Sequence, residues 1–245
     1  MNKSNKNNFS LNKNYKDLLK NTNLKFYSKY IDDIITLKKI NTGKFLDCGC
    51  GTGNVLRELP DTKNNYGIDI SEFFIKEIKS EGYNVLRYDG VKLPFSDESF
   101  DIVGSFTVLE HVENPSLFII EQGRVLKRGG YMIVACPNFL SPFNNVRSYS
   151  LRYKFISLLS YYLSKSREFV KMEPIAREGA DFIPDDDAIV QTNPIQLINF
   201  LKNENLKIIK FSGVMSKNNL LFTFISVIPL ARLFLPSCYV VCKKV

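Results

Sequence analysis

This 245-residue sequence has few of the residues that build metal sites or disulfide frameworks. It contains one histidine and five cysteines, and the cysteines show no repeated CxxC spacing. An odd number of cysteines without that spacing is typical neither of a zinc site nor of a disulfide-rich domain. We therefore predict no metal site, and we expect a reducing, cytoplasmic compartment in which thiols do not form disulfides.

The sequence also lacks a long uninterrupted apolar run. No apolar stretch follows the first residues, so we expect no secretory signal. The segment 220–241 is strongly apolar, but Pro229, Arg232 and Pro236 divide it into pieces shorter than the roughly 18 residues of a membrane span. We expect a buried helix followed by a strand, and contact with a membrane surface or a lipid-like substrate is the alternative.

The remaining composition is that of an ordinary globular protein, with 44% hydrophobic and 24% charged residues. The formal charge is +8, and much of it lies in an Asn/Lys-rich segment, residues 2–25. We interpret residues 1–22 as a polar, flexible terminus and residues 23–245 as a single domain. The basic balance fits either a solvated surface or an anionic partner, and it does not decide the fold.

Short apolar runs alternate with amphipathic segments along much of the chain. The pattern predicts strands at 44–47, 66–69, 84–88, 100–106, 131–136, 206–211 and 239–243, and helices at 23–40, 54–59, 72–81, 115–127 and 194–203. Ser71, Asn114 and Asn193 are the expected caps of the last three helices, and Gly129-Gly130 is expected to end the helix that begins at Pro115. This alternation indicates βαβ units, so we predict an α/β fold: a Rossmann-like, doubly wound, mostly parallel seven-stranded sheet with helices on both faces. An aromatic and basic insertion, about 139–191, interrupts the alternation after the fifth strand.

Four consecutive predicted strands end next to an acid or a histidine. Asp47 ends the first strand, Asp69 the second and Asp89 the third, and Glu110-His111 follows the fourth. In an open parallel sheet, ligands bind beyond the carboxyl ends of the strands. We therefore expect these side chains to share one site.

The loop after the first strand reads Asp47-Cys48-Gly49-Cys50-Gly51-Thr52-Gly53. Glycines permit positive φ and let a ligand approach the main chain closely. A dinucleotide loop would read GxGxxG and hold pyrophosphate, which Asp47 would repel. Asp69 suits a ribose diol in either kind of site, because a carboxylate can accept two hydroxyl hydrogen bonds. The acid before the first glycine favours a cationic ligand that carries hydroxyls.

At these residues the sequence resembles the class I S-adenosylmethionine-dependent methyltransferases, and within them the small-molecule branch that includes quinone-biosynthesis methyltransferases. The resemblance covers roughly residues 44–138. Its motifs are Phe45 to Gly53, Gly67 to Ser71, Asp89-Gly90, Leu93 to Asp101, Leu109 to Val112 and Arg124 to Gly130. Arg128 stands where the family usually has proline, in a turn that carries no catalytic residue.

The resemblance implies a cofactor, S-adenosyl-L-methionine, and a role for each matching residue. The loop residues Asp47, Gly49, Cys50, Gly51 and Gly53 would hold the methionine moiety. Asp69 would bind the ribose hydroxyls and Asp89 the adenine amine, with Ile70 and Gly90 beside the ring. Phe106 and Thr107 would line the pocket near the sulfonium. The product would be S-adenosyl-L-homocysteine.

His111 is the candidate catalytic residue. Methyl transfer to oxygen needs a base, and an imidazole suits that work near neutral pH. A structural histidine that fixes the loop after the fourth strand is the alternative. We interpret Cys48 and Cys50 as small loop residues rather than a redox pair, and Asp185-Asp186-Asp187 as a solvated turn rather than a metal site.

The acceptor is expected to contact the insertion at 139–191, which forms a lid by analogy with the fold class. Its aromatic and basic residues suit a small acceptor such as a quinone precursor, a lipid-linked intermediate or an acidic sugar. Cys136-Pro137 does not match the nucleophile motif of cytosine methyltransferases, in which the cysteine follows the proline, and the Asn/Asp-Pro-Pro-aromatic motif of amino-methylating nucleic-acid enzymes is missing after the fourth strand. A methyltransferase of RNA or protein and a silent cofactor-binding module are the alternatives; oligomeric state stays open.

Overall fold

The computed structural model describes residues 28–41, 43–144, 149–175, 186–213 and 231–245. The helices are α1 (Ser28–Asn41), α2 (Asn54–Glu58), α3 (Glu72–Ser80), α4 (Pro115–Val125), α5 (Leu151–Ser164) and α6 (Pro194–Asn203). The strands are β1 (Phe45–Cys48), β2 (Asn65–Asp69), β3 (Asn84–Arg87), β4 (Phe100–Phe106), β5 (Leu126–Pro137), β6 (Val170–Lys171), β7 (Val190–Gln191), β8 (Leu206–Ser212) and β9 (Ser237–Lys244).

Seven of the strands form one sheet in the order β3-β2-β1-β4-β5-β9-β8. The neighbours from β3 to β5 are parallel, whereas β9 runs antiparallel to both β5 and β8. The strand order reverses between β1 and β4, and this switch point is where open α/β sheets bind ligands. The prediction of a mostly parallel seven-stranded sheet is confirmed.

Alternate residues of the same strands pack into two apolar layers, one on each face of the sheet. Phe45 and Ile102 face the layer that includes α1 and α3. Leu46 and Val103, one position further along β1 and β4, face the layer that includes α4 and α6. This period of two places a covered core on each side, as a doubly wound fold requires.

Polar side chains fix the starts of three helices. Ser71 Oγ accepts a hydrogen bond from the Phe74 amide at the start of α3. Asn114 Oδ1 accepts one from the Leu117 amide at the start of α4, and Asn193 caps α6. Each satisfies an amide that the first helical turn leaves without a partner. The caps predicted at these three positions are confirmed.

The junction of α4 and β5 differs from the prediction of a helix to residue 127 that ends at two glycines. α4 ends at Val125, and Leu126 already pairs with Phe100. Leu126 is fully buried, so burial draws this residue into the sheet instead of the helix. The two glycines lie within β5, where the pairing register shifts before it resumes between Ile102 and Tyr131.

The insertion after β5 contains α5 and a small antiparallel pair, β6 with β7, which periodicity did not predict because each strand has two residues. Residues 145–148 and 176–185 of this region lie outside the described residues, as do 1–27 and 214–230. The predicted start of the first helix at residue 23 and most of the predicted C-terminal helix fall there. Within the described residues, no helix has the length and apolarity of a membrane span.

Candidate active site

A cavity of about 250 Å³ opens at the carboxyl ends of β1, β2 and β4. Most of the predicted site residues line it: Asp47, Gly49, Cys50, Gly51, Asp69, Ile70, Phe106, Thr107 and His111. Three do not line it: Gly53, Asp89 and Gly90. Nine of the twelve residues predicted at the rim of the sheet therefore line one concave space.

The glycine loop forms the floor of the cavity. Its glycines all have positive φ: 83° at Gly49, 50° at Gly51 and 80° at Gly53. A Cβ atom on Gly49 would lie 2.5 Å from Val108 Cγ2, which is too close for any side chain. The loop is held by hydrogen bonds from the Gly49 and Cys50 amides to the Ile68 carbonyl. Glycine is required at position 49 both by φ and by the approach of Val108.

Asp47 is the most deeply buried acid of the cavity, with 2% of its surface exposed. Burial, and then the nearby charge of Asp69, raise the pKa of the Asp47 carboxyl to about 8. A buried carboxyl that lines a cavity is suited to a cationic ligand, because the ligand's charge offsets the cost of burying the carboxylate.

Asp69 is the last residue of β2, and its carboxyl group lines the cavity and contacts the glycine loop. Its Oδ2 accepts a hydrogen bond from the Gly51 amide at 2.9 Å, and its Oδ1 accepts one from the Ser71 amide at 2.8 Å. Burial raises the pKa of Asp69, and these two amides oppose the shift. Each oxygen keeps acceptor capacity, so the carboxylate can still take hydroxyl groups of a ligand.

The end of β4 forms the opposite wall, at Phe106, Thr107 and Val108. Thr107 has a φ of 55°, a left-handed conformation that β-branched residues rarely adopt. Its amide donates to the Ala135 carbonyl and its hydroxyl to the Phe106 carbonyl, which hold it in place. Such outliers concentrate at functional sites, because the surrounding structure must enforce them.

His111 lies in a short 3₁₀ helix, Leu109–His111, and lines the cavity. Its Nδ1 is 3.5 Å from Asp187 Oδ1, and its Nε2 is 3.8 Å from Oε1 of the fully buried Glu110. Asp187 comes from the insertion. The Ile189 amide, next to β7 of the insertion, donates a hydrogen bond to the Glu110 carbonyl. This bond joins the insertion to the 3₁₀ helix that contains His111.

Asp187 is a site residue that sequence reasoning missed. The aspartates at 185–187 were interpreted as a solvated turn, but Asp186 is fully buried and Asp187 lines the cavity; Asp185 lies outside the described residues. The other cavity residues that the sequence did not predict are Thr52, Asn54, Val55, Ser71, Phe74 and Val108. All six adjoin predicted positions or follow from the packing of α2 and α3.

Asp89 and Gly90 lie at the outer edge of the site. Asp89 Oδ1 accepts hydrogen bonds from the Val91 and Lys92 amides, which stabilise the turn after β3 and lower the pKa of Asp89. A Cβ atom on Gly90 would lie 3.9 Å from Ile70 Cγ2. Ile70 is 62% exposed and lines the cavity. Its side chain therefore lies between the cavity and Gly90.

The comparisons with known proteins agree with this geometry. Residues 46–134, which carry the glycine loop, Asp69 and His111, match the family described as "Methyltransferase domain". This part of the chain is therefore similar to the methyltransferase domains of that family, in agreement with the resemblance to the class I S-adenosylmethionine-dependent methyltransferases. The match is to the enzyme family that the resemblance implied, whose cofactor is S-adenosylmethionine.

Two curated relatives show how far the likeness extends. An uncharacterized protein of Methanocaldococcus jannaschii is 41% identical over 106 residues, which are 43% of this chain and 50% of that protein. The demethylmenaquinone methyltransferase of Bacillus velezensis is 26% identical over 189 residues, 67% of this chain and 81% of that enzyme. The chain thus spans half the length of the first relative.

Solved structures of methyltransferases share the fold. A S-adenosylmethionine-dependent methyltransferase of Clostridium acetobutylicum superposes with a TM-score of 0.55 at 16% identity, covering 92% of this chain and 94% of that one. A protein assigned as a methyltransferase, in complex with the Haloferax volcanii Trm112 methyltransferase activator, gives 0.52 at 17% identity and covers 82% of both chains. At these identities the likeness concerns the fold of the methyltransferase domain.

The residues present fit S-adenosylmethionine. This molecule carries an ammonium, a sulfonium and a ribose diol, and the cavity offers Asp47, Asp69 and Asp187. Among the described residues that line it there is no lysine or arginine. The buried carboxyl of Asp47, which lines the cavity beside the glycine loop, suits a cationic ligand that lies close to the main chain.

Proposed function

We propose that this protein transfers a methyl group from S-adenosylmethionine to a small-molecule acceptor, with His111 as the base. The proposal rests on one arrangement: the acidic, glycine-floored cavity that suits the cofactor also holds the His111–Asp187 pair. The cofactor side and a proton acceptor thus share one space, as a methyl transfer to oxygen requires.

Each part of the cavity has a task in holding the cofactor. Asp69 takes the ribose hydroxyls, and the loop from Asp47 to Gly53 holds the methionine moiety. Asp89 is assigned to the adenine amine, with Ile70 and Gly90 beside the ring. Phe106 and Thr107 lie near the sulfonium. When bound, the cofactor supplies a methyl carbon that is already activated for displacement, so the protein mainly positions the reactants.

His111 removes the acceptor's proton. A carboxyl group lies near each ring nitrogen, but Asp187 Oδ1 is closer to Nδ1, at 3.5 Å, than Glu110 Oε1 is to Nε2, at 3.8 Å. We therefore assign the proton to Nδ1 and the role of base to the Nε2 lone pair. As the oxygen–methyl bond forms and the methyl–sulfur bond breaks, the acceptor hydroxyl loses its proton to Nε2. The 3.5 Å separation is longer than an ordinary hydrogen bond, and such contacts commonly shorten when the reactants bind.

The acceptor class we favour is an oxygen of a quinone precursor, or of a lipid-linked or sugar-type metabolite. Two observations support it. The Bacillus velezensis relative, a demethylmenaquinone methyltransferase, aligns over most of its length. The insertion contributes Asp187 to the cavity, and its helix α5 carries four aromatic residues. A lid role for residues 139–191, within a single domain at 23–245, is part of the proposal.

A macromolecular acceptor is the second candidate, because a fold neighbour forms a complex with the Trm112 activator. The test is to incubate the protein with S-adenosylmethionine tritiated on the methyl group and an extract of the source cells. The extract is then separated into lipid, small polar, RNA and protein fractions. Label in the lipid or small polar fraction that disappears with His111→Gln supports the proposal. Label in RNA or protein favours the alternative, and no label in any fraction, with cofactor bound, favours a silent cofactor-binding module.

A further inference from the structure

The helix α5 presents apolar side chains to solvent. Six of its residues form one continuous strip along the helix and are between 46% and 69% exposed; we call them the outer face: Leu151, Phe155, Ile156, Leu159, Tyr162 and Leu163. Residues four apart share a helix face, so Leu151, Phe155, Leu159 and Leu163 form its central row. Apolar surface concentrated in this way marks an interaction site rather than ordinary surface scatter.

The opposite side of α5 fixes this orientation. Lys154 is buried, and its Nζ donates hydrogen bonds to the main-chain carbonyls of Ser141 at 2.8 Å and Asn144 at 2.6 Å. Leu158 packs against Leu140 and Ile195. A lysine therefore points inward while Phe155 and Leu159 point outward. Rotating α5 to bury the outer face would break both hydrogen bonds of the Lys154 ammonium. The apolar strip therefore stays on the solvent side of α5, where an external partner can contact it.

The charged residues of α5 and of the three residues after it are all basic, and the first acid that follows is Glu168. Residues 139–167 contain no aspartate or glutamate. Arg152 lies within the strip, and Lys165 and Arg167 follow the end of α5; all three are exposed. Aliphatic and aromatic side chains flanked by basic residues, on a helix too short to span a bilayer, are the features of a helix that lies in the surface of an anionic membrane.

We propose that α5 docks the protein on an anionic lipid membrane through its outer face. The apolar side chains enter the boundary between head groups and acyl chains, and Arg152, Lys165 and Arg167 meet the lipid phosphates. RNA is a poorer fit, because four of the six residues of the outer face are aliphatic and offer no ring for base stacking. The proposal does not depend on the proposed methyl transfer, since membrane docking needs no cofactor.

The test is co-sedimentation of the full chain with vesicles of phosphatidylcholine and phosphatidylglycerol, with pure phosphatidylcholine vesicles alongside. We expect at least tenfold tighter partitioning to the anionic vesicles, and weaker partitioning as salt is raised. The double variant Phe155→Gln/Leu159→Gln should partition to the anionic vesicles at least tenfold more weakly than the wild type. The matched control, Ile120→Gln/Ile209→Gln, changes two exposed apolar residues outside α5 and should stay within twofold. Arg152→Glu should weaken partitioning to anionic vesicles at least fivefold and should change partitioning to neutral vesicles little.

Four results would overturn the proposal. Wild-type protein that ignores anionic vesicles would do so, as would a double variant that binds them like the control. A thermal unfolding midpoint lowered by several degrees in the double variant alone would mean that another segment of this chain covers the outer face. A wild-type dimer in light scattering that becomes monomeric in the double variant would assign the face to a second copy. Cofactor titrations with the same variants separate these outcomes from a failure of the proposed function.

Discussion

Asp187 Oδ1 lies 3.5 Å from His111 Nδ1, although the two residues come from different parts of the fold. His111 follows β4 of the main sheet, and Asp187 precedes β7 of the insertion. The hydrogen bond from the Ile189 amide to the Glu110 carbonyl joins the two segments next to this pair. The insertion therefore contributes a side chain, Asp187, to the candidate site.

The pairing predicts the tautomer of His111. Because this is the one histidine of the chain, nitrogen NMR of histidine-labelled protein gives its ring signals without overlap. The wild type should carry its proton on Nδ1, facing Asp187, and Asp187→Asn should shift the population towards the Nε2–H form. Asp61→Asn, at an exposed turn away from the cavity, is the control and should leave the spectrum unchanged. Identical ring signals in the wild type and Asp187→Asn would remove Asp187 from this role.

The glycine loop predicts a difference between two similar substitutions. Gly49 and Gly82 both have positive φ, 83° and 89°, so alanine is strained at either site. A Cβ atom meets nothing within 4 Å at Gly82 but would lie 2.5 Å from Val108 at Gly49. Gly82→Ala should lower the free energy of unfolding by about 1–2 kcal/mol, and overpacking should cost Gly49→Ala about 1–3 kcal/mol more. Urea unfolding measures both.

A third variant tests whether Val108 causes the extra cost. Adding Val108→Ala to Gly49→Ala removes the two methyl groups that a new Cβ would meet. The double variant should lose less stability than the sum of the two single changes. Simple additivity, or equal costs at Gly49 and Gly82, would mean that the close approach at Gly49 does not constrain the loop.

Cofactor binding should release a proton below pH 8. Burial raises the pKa of Asp47 to about 8, so its carboxyl is mostly protonated at pH 6 in the free protein. A bound cation favours the carboxylate, and the affinity for S-adenosylhomocysteine, which carries the same ammonium, should rise towards pH 8, by at most about tenfold per pH unit. Titration calorimetry in buffers of different ionisation enthalpy measures the proton. Proton uptake, or the same pH dependence in Asp47→Asn, would contradict this account.

The same carboxyl predicts a change in stability without ligand. The folded-state pKa of Asp47 lies above the unfolded-state value, so the folded protein binds the proton more tightly. Stability from this group is therefore present at low pH and is lost as pH rises from about 4 through 8. Asp47→Asn removes that loss, and it should be more stable than the wild type at pH 8 by at least about 1 kcal/mol. Unfolding curves at pH 5 and pH 8 should show the difference shrinking at the lower pH.

Much of the fold could be predicted because its signals are local. A few adjacent residues determine each of these features: the caps at Ser71, Asn114 and Asn193, and the buried runs of β1 and β4. The antiparallel direction of β9 and the small β6–β7 pair could not be predicted in this way. They depend on which strand edge a distant segment meets, and short strands carry no usable period.

The same division applies to the candidate site. Asp47 and Asp69 could be placed from the sequence, because parallel strands bring their carboxyl ends to one edge of the sheet. Asp187 could not, because its approach to His111 depends on how the insertion folds back onto the turn after β4. The sequence of three aspartates at 185–187 is the same whether their side chains contact solvent or a histidine, so it does not distinguish the two cases.

The most direct test of the account is a titration of S-adenosylhomocysteine into the wild type and Asp69→Ala, with Asp61→Ala as the control. Asp69 lines the cavity, whereas Asp61 is exposed in a turn outside it. We predict one-to-one binding by the wild type, a Kd at least tenfold higher for Asp69→Ala, and a Kd within twofold of the wild type for Asp61→Ala. No binding by the wild type, or an unchanged Kd for a folded Asp69→Ala protein, would contradict the assignment of this cavity to the cofactor.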